Sequence, residues 1–202
     1  MSTYAVIDFE TTGLSPNHGA RPTEIAVVLV SNDRIIDRYQ SLMNPGVHIP
    51  YDIQALTGIT NAMVQKAASI GNVMKQAAEF VGSHPLVAHN AAFDQKFWDA
   101  ELERIHLPRH QKFTCSLLLS RRIFPDAPNH RLGTLVRTFR LPDTGRSHRA
   151  LADAESTAYL LLHLQNELMR RFKLSAVSHD LLLAIQSKSR HQLEACVRNH
   201  KC

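Results

Sequence analysis

Two carboxylates one residue apart stand at the end of an apolar run near the start of the chain, within residues 4–10. Successive side chains of a β-strand point to opposite faces, so Asp8 and Glu10 share one face of the predicted strand. Two acids held side by side at the end of a buried strand repel each other, and a hard divalent cation is the usual way to neutralise them. The pair alone leaves two interpretations open: a metal site, or two acids at a strand end that frays into solvent.

Two further acids have a distinctive context far along the chain. Asp94 follows a short apolar run and lies early in a predicted helix, where a carboxylate also suits the helix dipole. Asp153 lies early in the longest predicted helix, and His148 precedes it by five residues at the junction of loop and helix. Five residues along a regular helix separate two side chains by about 140°. The two residues therefore converge only if His148 still belongs to the loop.

Four carboxylates and one histidine match the needs of a phosphodiester hydrolase that uses two divalent ions. Ligands that are all oxygen atoms favour Mg²⁺ or Mn²⁺ over zinc. A histidine is suited to accept a proton from water near neutral pH. For each acid taken alone, the alternative is a helix cap or a solvated surface charge.

The charged residues are unevenly distributed along the 202-residue chain, whose net charge is +5. Residues 1–103 carry six Lys and Arg against eleven Asp and Glu, whereas residues 104–149 carry ten basic residues and two acidic ones. An acidic part that contains paired carboxylates, followed by a strongly basic segment, suits a polyanion held near a metal. Seven arginines are candidates to contact a phosphate backbone, with a solvated basic surface as the alternative: Arg121, Arg122, Arg131, Arg137, Arg140, Arg146 and Arg149.

Several classes of protein are disfavoured by the composition. No stretch approaches the ~18 continuous apolar residues of a membrane helix, and the first residues enter a strand rather than a signal peptide. The three cysteines, Cys115, Cys196 and Cys202, are irregularly spaced and odd in number. We expect a cytoplasmic protein without a disulfide framework or a membrane partner.

Periodicity and turn residues predict alternating strands and helices, beginning with an antiparallel meander of three strands. Predicted strands cover residues 4–10, 24–30, 34–42, 86–89 and 113–114. Predicted helices cover residues 91–104, 115–124, 132–139, 149–172, 180–185 and 192–197, with shorter helical pieces between 60 and 82. Asn90 is the expected N-cap of the first of these helices.

Three segments together resemble the motifs of a known enzyme family. They are Asp8-Phe9-Glu10-Thr11-Thr12-Gly13, His89-Asn90-Ala91-Ala92-Phe93-Asp94 and His148-Arg149-Ala150-Leu151-Ala152-Asp153-Ala154. In this order they resemble the three motifs of the DEDDh family of 3′-5′ exonucleases, the family of the epsilon proofreading subunit of bacterial DNA polymerase III. The intervening Leu56-Thr57-Gly58-Ile59-Thr60 is similar to a further segment of the epsilon-like group.

The resemblance covers about residues 1–170 and implies an α/β, ribonuclease-H-like fold with a mixed five-stranded sheet flanked by helices. It implies a general base, His148, and four ligands of two Mg²⁺ or Mn²⁺ ions: Asp8, Glu10, Asp94 and Asp153. It also implies that the terminal nucleotide is held by Thr11, Thr12 and Leu14. The base pocket would be lined by residues of the turn 56–60, including Thr60, and by Phe97. Asn90 is a further candidate to contact the nucleic acid. For four aromatic or polar residues of these segments a structural role is the alternative: Phe93 and Phe97 in the core, Asn90 as a cap, and His89 as a hydrogen-bonded histidine.

The expected activity is metal-dependent 3′-5′ hydrolysis of single-stranded or frayed DNA, with release of nucleoside 5′-monophosphates. Trimming of RNA 3′ ends is the alternative within this class, because the motifs do not distinguish the sugar. We expect an exonuclease domain over residues 1–172 and a helical C-terminal extension over 173–202. The leucines of that extension have no obvious place in the catalytic fold, so it either docks on a polymerase or a second copy of the chain, or packs back on the domain. In the first case the chain would be mainly a polymerase-associated subunit.

Overall fold

The computed structural model describes residues 3–200, and the residues outside this range, which include Cys202, are not considered further. Within it the strands are β1 (Tyr4–Thr11), β2 (Pro22–Ser31), β3 (Arg34–Asn44), β4 (Ala68–Ser69), β5 (Leu86–Ala88) and β6 (Phe113–Cys115). The first α-helices are α1 (Tyr51–Thr57), α2 (Asn61–Gln65), α3 (Ile70–Val81), α4 (Ala92–Arg104) and α5 (Ser116–Ile123). They are followed by α6 (Leu132–Phe139), α7 (Ala150–Phe172), α8 (His179–Ser187) and α9 (Leu193–Asn199).

The strands of the described residues form one mixed sheet in the order β4-β3-β2-β1-β5-β6. The meander of β1, β2 and β3 is antiparallel, whereas β5 and β6 run parallel to β1. The mixed sheet flanked by helices confirms the predicted ribonuclease-H-like class, with one correction to the strand count. A sixth strand, the two-residue β4, pairs with the end of β3 through Met43 and Asn44. Such a short strand carries no periodicity that a sequence pattern could reveal.

The alternation of side chains along β1 separates two hydrophobic layers. Val6 packs in a layer with α5, α7 and α8, whereas Ile7 and Phe9 pack in a second layer with α3 and α4. Asp8 and Glu10 continue the face of Val6. The two carboxylates therefore emerge on the side of the sheet that α7 covers, at the end of the strand where this layer stops.

The long helix α7 lies across β1 and β2 and supplies much of the first layer. Three alanines one turn apart, Ala150, Ala154 and Ala158, are fully buried. Their small side chains let the start of the helix approach the sheet closely, and larger leucines fill the layer further along. Because Asp153 lies in the first turn, this close approach brings its carboxylate to the end of β1.

The C-terminal helices α8 and α9 pack back on the domain. The apolar side chains of Leu181, Leu182, Ile185, Leu193 and Val197 are buried in the same layer as those of α7. Leu181, Leu182 and Leu193 thus have a place in the fold, where they pack on the domain. A long-range contact between Tyr4 and the backbone of Val177 further ties the extension to β1.

Two remaining expectations concern cysteines and membranes. Among the described residues the thiols of Cys115 and Cys196 are free and buried. None of the helices within residues 3–200 combines the length and the apolar character that a membrane span requires.

Candidate active site

The first three acids meet where β1, β5 and α4 come together. Strand β5 pairs in parallel with β1, so the chain that leaves β5 starts α4 beside the end of β1. The backbone N–H of Phe9 donates a hydrogen bond to Oδ1 of Asp94 at 3.1 Å. This contact holds the Asp94 carboxylate against the strand that carries Asp8 and Glu10. Asp94 is 2% exposed, so it is a buried acid on a helix rather than a solvated one.

His148 and Asp153 converge because His148 lies outside the helix, as the sequence analysis required. Helix α7 begins at Ala150, and His148 has a left-handed backbone with φ of 61°. Its backbone N–H donates to Oδ2 of Asp153 at 2.8 Å. The potential ligand atoms of Glu10, His148 and Asp153 all lie within 4.8 Å of one another.

The electrostatics of the four acids are those of a site that requires positive charge. Burial raises the pKa of Glu10 to about 8, and the charges of Asp153, Glu24 and Asp94 act in the same direction. Burial also raises the pKa of Asp94 to about 8, although the Phe9 N–H hydrogen bond opposes the shift. The pKa of Asp8 is raised well above its usual range by burial and then by the other carboxylates. Burial raises the pKa of Asp153 as well.

These acids fit a hard divalent cation. Several carboxylates that converge at one strand end provide the oxygen donors that Mg²⁺ and Mn²⁺ prefer. Burial raises the pKa of all four acids, and repulsion by neighbouring carboxylates raises it further for Asp8 and Glu10. A bound cation would offset both penalties. The donor set therefore suits the ions that the sequence predicted.

An apolar cavity of about 240 Å³ lies directly beside the acids. We call it the terminal cavity; besides the acids, its lining includes Thr11, Gly13, Leu14, Ile53, Leu56, Thr57 and Phe93. Leu14 is 81% exposed and places an apolar side chain at the edge of the opening. Of the residues expected to touch substrate, Thr11, Leu14 and Asn90 line this cavity.

Three expected substrate contacts are placed elsewhere. Phe97 is fully buried, and Phe93, whose ring centroid lies 5.1 Å from that of Phe97, lines the cavity instead. Thr60 is the N-cap of α2, where its side chain accepts from the backbone N–H of Met63, and Thr57 lines the cavity in its place. Thr12 is buried, and its hydroxyl accepts a hydrogen bond from the backbone N–H of Arg21.

Two residues between β5 and α4 were assigned structural roles from the sequence: Asn90 as the N-cap of the helix and His89 as a hydrogen-bonded histidine. Helix α4 starts at Ala92 with Ala91 as its N-cap, so Asn90 does not cap it and instead has a left-handed φ of 63°. His89 is hydrogen-bonded through both ring nitrogens, Nδ1 to Ser116 Oγ at 2.9 Å and Nε2 to the carbonyl of His130 at 3.0 Å. Burial lowers the pKa of His89 to about 4. Both ring nitrogens of His89 are thus engaged in hydrogen bonds that tie β5 to α5 and to the loop before α6.

A fifth carboxylate at the site, Glu24, was missed by the sequence analysis. It lies on β2 directly opposite Glu10 and is 1% exposed. Unlike the other four acids it forms an ion pair, with Arg149 at 2.8 Å. The signal in the sequence was a lone acid inside an otherwise apolar strand, which must be paired when it is buried.

A second and larger opening of about 750 Å³ continues from the acids across α5 and α6. We call it the arginine groove; its lining includes Leu117, Arg121, Asn129, His130, Arg131, Leu132 and Arg137. The three arginines are exposed. Of the seven arginines that could contact a phosphate backbone, these three thus line a groove that reaches Asp8 and Asp153.

Comparison with known proteins places this geometry in context. A family model described as an exonuclease matches residues 5–161. The protein DNA polymerase III PolC-type from Bacillus cereus is 38% identical over 170 residues, which make up 84% of this chain and 12% of that protein. The chain thus spans only about one eighth of the length of this much longer relative.

Two solved structures are similar over most of the chain. Exonuclease X in complex with 5′ overhanging duplex DNA is 30% identical, with a TM-score of 0.69, and the alignment covers 92% of this chain and 99% of that one. Escherichia coli Exonuclease I in complex with a dT13 oligonucleotide has a TM-score of 0.75 at 17% identity, covering 96% of this chain and 46% of that one. The second likeness is one of fold alone.

Proposed function

The chain belongs to the exonuclease family whose model it matches and is a nuclease, and on that premise we propose that it is a metal-dependent 3′-5′ exonuclease. Its proposed substrate is the 3′ end of single-stranded or frayed DNA, and its products are nucleoside 5′-monophosphates. One observation carries the proposal: four acids and His148 converge at the end of β1, between an apolar cavity and a basic groove.

The proposed roles follow from the position of each side chain. Asp8, Glu10, Asp94 and Asp153 hold two Mg²⁺ or Mn²⁺ ions. When bound, such ions neutralise charge on the scissile phosphate and on the attacking and leaving oxygens. His148 is exposed and tethered only through its backbone to Asp153, so its imidazole is available to accept a proton from the attacking water.

The two openings beside the acids suit the two parts of a nucleic-acid end. The apolar terminal cavity accommodates the last base and sugar. The ring of Phe93 provides a surface for base stacking, and Leu14 provides an apolar contact. The arginine groove binds the charged backbone, because guanidinium groups pair with phosphate oxygens irrespective of sequence.

The preference for DNA is supported by the relatives and not by the motifs. Exonuclease X was solved with duplex DNA, and PolC is named as a DNA polymerase. The scarcity of cysteines, two of them free thiols, supports a cytoplasmic location.

The test is degradation of 5′-labelled single-stranded DNA, duplex DNA and RNA side by side, with Mg²⁺ or Mn²⁺. We expect stepwise shortening of single-stranded DNA from the 3′ end, abolished by EDTA and by Asp8→Ala. Asp180→Asn, an exposed acid on the distant helix α8, serves as a matched control and should retain wild-type activity. Equal activity of Asp8→Ala and wild type would reject the metal-dependent mechanism, and faster digestion of RNA would reject the DNA preference.

A further inference from the structure

The buried acid Glu24 is linked by hydrogen bonds to the start of α7. Its carboxylate accepts two bonds from the guanidinium of Arg149, Nη2 to Oε1 at 2.8 Å and Nε to Oε2 at 3.2 Å. It also accepts the backbone N–H of Ala150 at 3.0 Å and the side-chain amide of Gln40 at 2.9 Å. Glu24 is thus a fully paired carboxylate, in contrast to Glu10, which lies opposite it on β1.

This arrangement caps α7 from a distance. The N-cap residue Arg149 provides no side-chain hydrogen bond to the first turn, so the N–H of Ala150 would otherwise lack a partner. Glu24 supplies that acceptor across 126 residues of sequence, and its charge suits the N-terminus of a 23-residue helix. The start of the helix is thereby fixed to β2, which pairs with the strand that carries Asp8 and Glu10.

His148 immediately precedes the residues that Glu24 holds. Its left-handed backbone is strained for a residue with a β-carbon and persists only where the surroundings impose it. Two constraints surround it: the hydrogen bond from its own N–H to Asp153, and the anchored Arg149 on its other side. Without Glu24, Arg149 would lose its ion pair, and the backbone of His148 would be restrained only by its hydrogen bond to Asp153.

We propose that Glu24 is a positioning residue which, through Arg149, holds the imidazole of His148 at the four-acid cluster. The inference rests on the proposed function for the role of His148 itself. Glu24 does not act as a metal ligand, because its two oxygens are occupied by Arg149, Ala150 and Gln40. The pair Glu24–Arg149 is therefore a unit, and loss of either member should have the same consequence.

The experiment compares Glu24→Gln, Arg149→Met and the double variant with the wild type on short single-stranded DNA with Mn²⁺. We expect each single variant to lower kcat about 10–100-fold, with KM changed by less than about threefold. The kcat of the double variant should be no lower than that of the less active single variant, because both substitutions disrupt the same Glu24–Arg149 unit. The affinity for Mn²⁺, measured by calorimetry without DNA, should change less than about threefold.

A matched control is the ion pair of Glu155 with Arg38, which also joins α7 to the sheet but lies beyond the first turn of the helix. Glu155→Gln should leave kcat unchanged. Because Glu24→Gln could impair folding, melting temperatures are compared, and Arg149→Lys gives a milder variant that keeps the charge but not the two-pronged geometry. We expect Arg149→Lys to lower kcat in the same direction at an unchanged melting temperature.

Several outcomes would overturn the inference. Wild-type kcat in Glu24→Gln, multiplicative losses in the double variant, or a lost Mn²⁺ site would each show that Glu24 acts otherwise. An equal loss in Glu155→Gln would assign the effect to general stability. The histidine C2–H signals in proton NMR give a readout that does not depend on activity: the signal assigned by a His148→Ala variant should shift in Glu24→Gln. If it shifts while wild type degrades no nucleic acid, the proposed function fails and the positioning of His148 stands.

Discussion

Replacement of Glu10 by glutamine should stabilise the metal-free protein while it abolishes catalysis. Glu10 is 8% exposed, and burial together with neighbouring carboxylates raises its pKa from 4.5 to about 8. In the absence of metal its charge is a cost to the folded state. Glutamine has nearly the same shape and carries no charge, so the substitution removes the cost without opening a cavity.

The size of the effect follows from the linkage of protonation and stability. A pKa raised from 4.5 to about 8 corresponds to a destabilisation of the folded state by about 5 kcal/mol at high pH, where Glu10 is charged. Relaxation of the site and entry of water reduce this value, and we expect a gain of roughly 1–3 kcal/mol at pH 8. For a chain of this size each kcal/mol raises the melting temperature by about 2–4 °C.

The size of the stabilisation by Glu10→Gln depends on pH. Between pH 4.5 and 8 the folded protein keeps a proton on Glu10 that the unfolded chain releases, so the stability of the wild type falls as pH rises through this window. Glu10→Gln lacks this dependence. The advantage of the variant should therefore be small at pH 5 and largest at pH 8.

The assay is thermal unfolding of both proteins in EDTA at pH 5 and pH 8, repeated at pH 8 with saturating Mn²⁺. Metal that binds only the folded state should raise the melting temperature of the wild type more than that of the variant. Glu101 is the matched control, because it is also buried but is paired with Arg21 and Arg104. Glu101→Gln should destabilise the protein at pH 8.

The reasoning would be refuted if Glu10→Gln in EDTA at pH 8 melted at or below the wild-type temperature. A gain of the same size at pH 5 and pH 8 would also refute it. In that case the carboxylate would not carry an uncompensated charge in the folded protein.

Three further predictions concern the remaining parts of the site. His148→Ala should lower kcat about 10²–10⁴-fold, while calorimetry still detects Mn²⁺ binding, since the four acids remain; unchanged kcat would exclude His148 as the base. Arg131→Gln combined with Arg137→Gln should raise KM and lower the slope of log KM against log salt by about 1.4, since each lost phosphate contact contributes about 0.7; an unchanged slope would exclude both from backbone binding. Phe93→Ala should raise KM with little change in stability, whereas Phe97→Ala should cost about 3–5 kcal/mol of unfolding free energy; the opposite ranking would show that Phe97 is the residue at the substrate.

The acids of the site could be predicted from the sequence because each depends on local geometry. Strand alternation alone places Asp8 and Glu10 on one face, and the positions of Asp94 and Asp153 near helix starts follow from periodicity. The condition that His148 remain in the loop could also be stated in advance, and its left-handed backbone meets that condition. The mixed sheet was implied by the motifs, and only the two-residue β4 was missing from it.

Other features escaped the sequence because long-range packing decides them. Phe93 and Phe97 lie on one face of α4, and only the packing of this helix in the second hydrophobic layer determines that Phe97 is buried and Phe93 lines the cavity. Asn90 is a favourable cap by residue type, but the path from β5 requires a left-handed residue there. From the sequence, the leucines of the C-terminal extension were candidates to bind a partner. In the structure Leu181, Leu182 and Leu193 are buried in the hydrophobic layer that contains Val6 and α7.

The sequence by itself thus determined which residues can do chemistry, because residue type and spacing set charge, donor atoms and the face of each element. Only the tertiary structure decided how these residues are held together. Glu24 and Arg149 lie 125 residues apart, and no local rule pairs them. Their pairing depends on the burial of β2 beneath the start of α7, where the guanidinium of Arg149 and the N–H of Ala150 compensate the buried carboxylate of Glu24.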